Sequence, residues 1–207
     1  VPIGLALGIF AALKKNKWQD QIISTGVMVL ISVPSIVYAF LIQYFLCFKA
    51  NLFPLTMASG TNYLTWKMFH SMMPAVLALC LGSIAGYARY TRAELTEVLT
   101  NEFMLLARTK GLTKGQAIVR HALRNAMVPI FPMILGEFIS VLSGSLIIEK
   151  FFSIPGVGSL FLNSITALAY DFFMLLSGFY TLVGLLAGII VDISYGMIDP
   201  RIRMGAK

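Results

Sequence analysis

Nine carboxylates, two histidines and two cysteines are the side chains of this 207-residue sequence best suited to chemistry, and their placement argues against catalysis. Glu137 stands midway along an apolar run with no His or Asp beside it to form a relay. A carboxylate there costs on the order of a few kcal/mol unless it meets protein, water or a partner. It is read as a helix-pairing group or as a residue of a translocation pathway. Asp192 lies near the end of the last apolar run and is expected to pair with an arginine of a polar loop or of the tail. His70 and His121 lack metal-ligand spacing, and Cys47 and Cys80 lie in apolar runs and are read as buried free thiols. No G-x-x-x-x-G-K-[ST] loop occurs to cradle phosphates. No catalytic or metal-binding residue is assigned, and any chemistry has to come from another chain.

The elements that carry these groups are set by composition. Hydrophobic residues make up 58% and charged residues 12%, against roughly 45–50% and 25% in a soluble domain. The apolar residues come in long blocks, which is the mark of an integral membrane protein. Backbone groups cannot go unpaired in lipid, so the spans are helices, and the continuous runs do not alternate as barrel strands do. The fold class is therefore all-α and polytopic, with five transmembrane helices. The first, over residues 1–13, is partial and is read as the rest of a helix that begins upstream. The others run over about 21–47, 69–88, 126–148 and 172–195. Pro34 and Pro74 are expected to bend their helices, by packing variation or, for Pro34, as a bend lining a pathway. Pro129 and Pro132 are expected in a first turn or at a kink.

A net charge of +7 could suggest nucleic acid, but the basic residues sit in short segments between apolar blocks. Thirteen of the sixteen Lys and Arg fall in the 14–17 turn, the 89–125 segment and the tail, and three fall on the opposite side. This bias places those three segments in the cytoplasm. Nucleic-acid binding, which needs an exposed basic face, is not supported.

The 89–125 segment is too long for a turn. Apolar spacing at Leu95, Val98 and Leu99, then Leu105 and Leu106, is followed by Gly111 and Gly115 and by a second stretch with Ala117, Ile118, His121, Ala122 and Asn125. This predicts helix, break, helix along the membrane surface. Such a segment serves as a basic strip in the headgroup layer or as a short helix offered to a cytoplasmic partner.

Ala107-Arg108-Thr109-Lys110-Gly111-Leu112, followed by His121-Ala122-Leu123-Arg124-Asn125-Ala126 and Pro129, resembles the cytoplasmic "EAA" loop of ATP-driven importer permeases of the oligopeptide and dipeptide branch. Thr109 stands where alanine is usual in that branch, and Phe103 where tyrosine is usual. SVPSIVYAFLIQYFL, IIEKFFSIPGVGSLFLNSI and VDISYGMIDPRIR resemble three further signatures in the right order. The resemblance implies one permease domain over 1–207, cut from a six-helix fold, with 89–125 as its coupling loop. It implies that Ala107, Arg108, Lys110, Gly111, Leu112, His121 and Arg124 dock on an ATPase subunit, Gly111 permitting close backbone approach. It implies that Pro155, Gly156 and Gly158 belong to an outer-face segment that meets a solute-binding protein or gates the pathway. Pro155-Gly156 is expected to form a type II turn leading into a short helix.

The implied function is a non-enzymatic permease subunit of a bacterial cytoplasmic-membrane importer for oligopeptides or dipeptides. Its partners would be a second permease, two cytoplasmic ATPase subunits, an extracytoplasmic peptide-binding protein and the bilayer. The chain itself would bind no cofactor, and ATP and Mg would sit on the ATPase subunits. A permease for nickel or another small solute is the alternative within the family. An ion channel or membrane-embedded enzyme is the alternative outside it.

Overall fold

The computed structural model describes residues 1–60, 62–141 and 144–198, and all regular structure among them is helical. The helices are α1 (Pro2–Leu13), α2 (Trp18–Ser32), α3 (Ser35–Ile42), α4 (Trp66–Thr100), α5 (Glu102–Thr109), α6 (Lys114–Ala117), α7 (Leu123–Ser140), α8 (Leu146–Phe151), α9 (Val157–Thr166) and α10 (Tyr170–Ile198). π-Helical turns prolong α3 over Gln43–Lys49 and join α6 to α7 over Ile118–Ala122.

Among the described residues, α4, the run Lys114–Ser140 and α10 are long and apolar enough to cross a bilayer. The pair Trp18–Ser32 and Ser35–Lys49 is long and apolar enough together but is bent by 96°, a broken span or a re-entrant loop, and α1 is apolar but short. The all-α polytopic class stands. Its details differ from the sequence expectation in three places. Pro34 does not bend a continuous helix but ends it, standing in extended conformation as the N-cap of α3. The fourth span stops at Ser140, earlier than 148, and the residues after it start a separate helix, α8. At its other end, α4 runs through the first twelve residues of the 89–125 segment. Thirty-five residues make a helix of about 52 Å, well beyond the roughly 30 Å of hydrocarbon a span must cross. Pro74 sits fully buried within this helix without ending it. The 199–207 part of the C-terminal signature lies outside the described residues.

The chain divides into two compact units. The first holds Val1–Ser32, Ser83–Gly136 and the described part of 189–207. Here α1 lies against α4 with almost nothing between the backbones. A Cβ on Gly4 would come within 2.7 Å of the Ile84 carbonyl and of Tyr87 Cβ, and one on Gly8 within 2.6 Å of Thr91 Cβ. Gly4 and Gly8 are four apart, on one face of α1, and meet residues 84, 87, 88 and 91 along one face of α4. This is the small-xxx-small packing by which helices associate in lipid. Val27, Ala85 and Ala88 form a neighbouring buried cluster, flanked by Leu7, Ile23 and Leu30.

An ion pair closes the same corner. The Asp20 carboxylate, 3% exposed, accepts from Arg92 Nε and, at 2.8 Å, from Arg92 Nη2. It also accepts from the Asn16 N–H at 2.9 Å and the Ser24 hydroxyl at 3.2 Å. Asn16 takes a left-handed φ of 64° to present that N–H, which asparagine tolerates better than most residues. The basic 14–17 turn is thereby tied to α4. Asp20 precedes the apolar run of α2 and Arg92 follows that of α4, so the pair lies beyond the spanning stretches. The Arg92 hydrogen bond, helped by Asn16 and Ser24 and opposed by burial, holds the Asp20 carboxyl at about 2.

The second unit holds Val33–Gly82 and Glu137–Gly188. Its core is Ala39, Ala75, Ala78, Ile148 and Phe152, so α8 is seated on α3 and α4. In the 50–65 stretch, residues 50–60 are tied down by three bonds: the Met57 N–H to the Phe152 carbonyl at 2.9 Å, the Ala58 N–H to the Ser71 hydroxyl at 3.0 Å, and Gln43 Nε2 to the Leu55 carbonyl at 2.8 Å. The His70 ring is tilted over that of Phe53, centroids 4.8 Å apart, and lies near Trp66.

Two outcomes follow. Gly8→Leu forces α1 off α4 and lowers stability by about 2–3 kcal/mol, read as a fall in the thermal midpoint of detergent-purified protein. Gly26→Ala, where a Cβ meets nothing within 4 Å, leaves that midpoint unchanged or raised. Asp20→Asn leaves Arg92 without its partner and costs about 3 kcal/mol. Because the Asp20 pKa is lowered on folding, its contribution is complete above the ordinary carboxyl value and is lost as pH falls from about 4 towards 2. An acid titration of stability should lose that limb in Asp20→Asn.

Candidate functional site

The polar segment after the third span folds on a small core shared with α1 and α4. Asn101, in extended conformation, breaks the chain after α4 and starts α5. That break resets the helical register. Met104 and Ala107 turn inward, joining Leu95, Val98, Ala12, Ala117, Ala122 and Ala126 in one buried cluster. Leu105 and Leu106, expected on the apolar face, are instead 66% and 56% exposed. Alanines dominate the floor of this cluster because α5 and the 114–126 stretch meet α4 and α1 over a short distance, where larger side chains would overpack.

Gly111 marks the turn between α5 and α6. Its φ is +89°. The Gly111 N–H bonds back to the Arg108 carbonyl at 3.0 Å, and the Leu112 N–H to the Ala107 carbonyl at 3.3 Å. These are the two backbone bonds of a Schellman C-cap with glycine at its left-handed position, and Leu112 packs on the cluster as the accompanying apolar contact. Within this chain, then, Gly111 is required by its dihedral angle and not by close approach, since a Cβ there would meet nothing within 4 Å. Next, Thr113 caps α6. Its hydroxyl accepts the Gln116 N–H at 3.3 Å, and the Gln116 carbonyl oxygen accepts the Thr113 N–H at 3.0 Å. A reciprocal capping box of this kind fixes the direction in which the second short helix leaves.

The sequence-predicted residues sort cleanly on this scaffold. Ala107 is buried and Leu112 half-buried, holding the segment to its core, while Arg108, Lys110, Gly111, His121 and Arg124 are exposed. Lys114, Val119 and Arg120 join them on the exposed surface, Val119 at 65%. A shallow groove between α5 and α6 is lined by Leu99, Asn101, Glu102, Leu105, Arg108 and Lys114. The segment thus offers several cations and a few bare apolar side chains on a capped, rigid base.

The second predicted region, 144–166, has a different architecture from the one expected. Gly156 is not at the left-handed position of a type II turn. It is extended, with φ −134° and ψ 172°, and serves as N-cap of α9. The reversal is made earlier, by a Schellman cap on α8 with Ser153 at φ 54°. The Ile154 N–H bonds the Glu149 carbonyl at 2.8 Å and the Ser153 N–H the Lys150 carbonyl at 3.4 Å. Pro155 follows, where it cannot continue the helix. The short apolar helix expected after it is α9. Gly158 is buried, and a Cβ on it would come within 2.9 Å of Leu146 Cα. Here glycine does serve close approach, of α9 to α8.

Of the remaining sites, Pro34 is exposed, while Glu137 is half-buried on α7 and does not stand free. Asp192 is exposed on α10, and the tail arginines expected to pair with it lie outside the described residues. Cys47 is buried, but Cys80 is exposed, contrary to expectation. Among the described residues no cluster of His, Cys, Asp and Glu could hold a metal ion. Sequence reasoning passed over two carboxylates. One is Asp20, whose partner Arg92 is 72 positions away. The other is Glu149, whose partners are backbone N–H groups and leave no mark in side-chain patterns.

Residues 4–204 match the family described as binding-protein-dependent transport system inner membrane component. The chain is 36% identical over 205 residues to the dipeptide transport system permease protein DppB of Bacillus subtilis, covering 99% of this chain and 64% of the relative. It is 35% identical over 206 residues to the oligopeptide transport system permease protein OppB of Haemophilus influenzae, and 32% identical over 203 residues to the glutathione transport system permease protein GsiC of Escherichia coli K12. Each of these matches covers 98% of this chain and 64% of the relative, so the chain spans a little under two thirds of their length. A match running almost end to end, over a chain of apolar membrane-length helices, fixes the family: this protein belongs to the binding-protein-dependent transport system inner membrane components.

Proposed function

We propose that the chain forms the membrane-spanning part of a permease subunit in an ATP-driven importer of short peptides. The observation that carries this reading is the 101–126 segment. It is a doubly capped pair of short helices packed on a core shared with α1 and α4, and it presents Arg108, Lys110, Lys114, Arg120 and Arg124 to solvent. A merely topological basic loop needs no such core. A segment that must carry force to the spans does, because packed helices transmit displacement where a coil would absorb it.

In this reading the segment faces the cytoplasm and seats on an ATPase subunit, whose carboxylates would engage Arg108 and Lys110. Two ATPase subunits supply ATP and Mg, and a second permease completes the pathway. The substrate is delivered from outside by a binding protein. The thirteen-to-three division of basic residues supports that orientation. The peptide assignment draws on the dipeptide, oligopeptide and glutathione systems named for the relatives. The 144–166 segment then lies on the extracytoplasmic side. Alternating access is driven through the segment around Gly111.

The test uses the full-length protein assembled with its partner subunits in proteoliposomes. ATP-dependent uptake of tritiated dialanine is followed beside a labelled pentapeptide and labelled glutathione. Gly111→Val cannot hold φ +89° without a cost of about 1–2 kcal/mol. It should lower uptake about tenfold or more while the spans still insert. Gly111→Asn, which tolerates the left-handed region, should retain most of it. Unchanged uptake and unchanged coupling to ATP hydrolysis in Gly111→Val would remove the basis for the reading.

A further inference from the structure

Glu149 is gripped by main-chain groups at two helix starts. It stands on α8 with its oxygens directed at the start of α9. Oε1 accepts the Ser145 N–H at 3.2 Å and Oε2 accepts the Ser159 N–H at 3.0 Å. Ser159 is the third residue of α9, and its N–H is one of the donors that a helix leaves unpaired at its N-terminus. The usual partner is an N-cap side chain, but the N-cap here is Gly156. Glu149 supplies the missing acceptor from another helix, and its charge suits the positive end of α9. Within the N-cap turn itself, the Ser159 hydroxyl bonds only to Gly156, donating to its carbonyl at 2.8 Å and accepting its N–H at 3.3 Å.

Three glycines surround this carboxylate. A Cβ built on Gly144, Gly156 or Gly158 would collide with it in each case. Such spacing around one side chain is a cradle, and only glycine leaves room for it. The two helices it joins are unequally anchored. α8 is seated in the unit's core by Ile148 and Phe152, each 1% exposed, and is tied to the 50–65 stretch by the Met57 N–H. α9 has no residue in that core cluster. It meets α10 through Phe161, which packs on Phe173 and Tyr180 with centroids 5.1 and 5.4 Å apart. Glu149 therefore ties the N-terminus of α9 to a helix fixed in the core, beside the Lys150 Nζ–Asn163 Oδ1 bond at 2.7 Å farther along α9 and the close approach at Gly158.

From this geometry we infer that Glu149 is a positioning residue of the transport cycle, its carboxylate holding α8 and the N-terminus of α9 together as one piece. The inference rests on the importer reading and deepens it: the 144–166 segment closes the extracytoplasmic side of the pathway as a single body. Without the clamp, the N-terminus of α9 loses its polar tie to α8 while Lys150–Asn163 still joins the helices farther along, and closure loses its link to ATP hydrolysis. The substrate still binds.

The steric logic gives a test that a general loss of stability does not reproduce. In Gly156→Ala the new methyl group takes the space of the carboxylate, which swings away and drops both N–H bonds. Gly156→Ala and Glu149→Ala then remove the same joint, and the double variant is no worse than either single one. Gly158→Ala also strikes the Leu146 backbone, so Glu149→Ala does not absorb its effect.

The reconstituted full-length transporter is assayed for tritiated dialanine uptake and for ATP hydrolysis. Amide exchange is measured at Ser145 and Ser159. Glu149→Ala is expected to speed exchange at both amides about tenfold. It should raise the ATP consumed per dipeptide about fivefold or more, and leave the half-saturating dipeptide concentration within about twofold. Glu149→Gln, which retains the shape and only one good acceptor, should fall between; it serves as the readout if Glu149→Ala fails to insert. An unchanged ATP-to-dipeptide ratio with faster exchange overturns the positioning role. So does a double variant whose defects add. A wild-type transporter that takes up no labelled peptide instead removes the importer reading on which the inference stands.

Discussion

Inside a bilayer apolar side chains gain little by meeting one another, so helices hold where their backbones can come close. That constraint runs through this chain. Gly4 and Gly8 let α1 lie on α4, and Gly158 lets α9 lie on α8. Ala107, Ala117, Ala122 and Ala126 form the floor beneath the 101–126 segment. At the three glycines a neighbouring backbone lies where a side chain would stand. The large apolar residues behave in the opposite way. Leu175, Leu182, Leu185 and Ile189 of α10 are more than half exposed, as residues facing lipid or a neighbouring subunit must be.

Polar joints then fix what close packing leaves free. Asp20 and Glu149 do the same job at two ends of helices by different means. Asp20 takes a guanidinium in two hydrogen bonds and so binds the 14–17 turn to α4. Glu149 takes the Ser145 N–H at the start of its own helix and the Ser159 N–H of α9, and the second bond joins α8 to α9. Glu149 thereby replaces water as the partner of an N–H at the start of α9. Three Schellman caps close other ends with backbone alone. Only one of them has glycine at the left-handed position; the others hold Ser153 and, after α9, where the Leu168 and Ala169 N–H groups bond the Ile165 and Ser164 carbonyls at 3.2 and 3.0 Å, Leu168, at φ 54° and 53°. Non-glycine residues in that region persist where surrounding structure holds them. Here they sit at the two ends of the short segment that carries α9.

How much of this the sequence reveals depends on the range of the interaction. The spans were legible because twenty apolar residues in a row have few other uses. Gly111 was legible as a special position, but its reason was not: a dihedral angle and a close approach both ask for glycine, and only geometry separates them. The exposed Leu105 and Leu106 were misplaced because one extended residue, Asn101, shifts the helical register and moves every later side chain to a new face. Asp20–Arg92 was hidden by its 72-residue separation. Glu149 was hidden for another reason. Its partners are main-chain N–H groups, which every residue but proline carries, so no residue type announces them.

The central claim is that the exposed face of the 101–126 segment meets an ATPase subunit. The most direct measurement places a photo-crosslinking amino acid at Val119, which is 65% exposed and takes no part in the buried cluster. Irradiation of the assembled full-length transporter should join this position to the ATPase subunit, and nucleotide should change the yield. Crosslinking to the extracytoplasmic binding protein, or to lipid alone, would contradict the account.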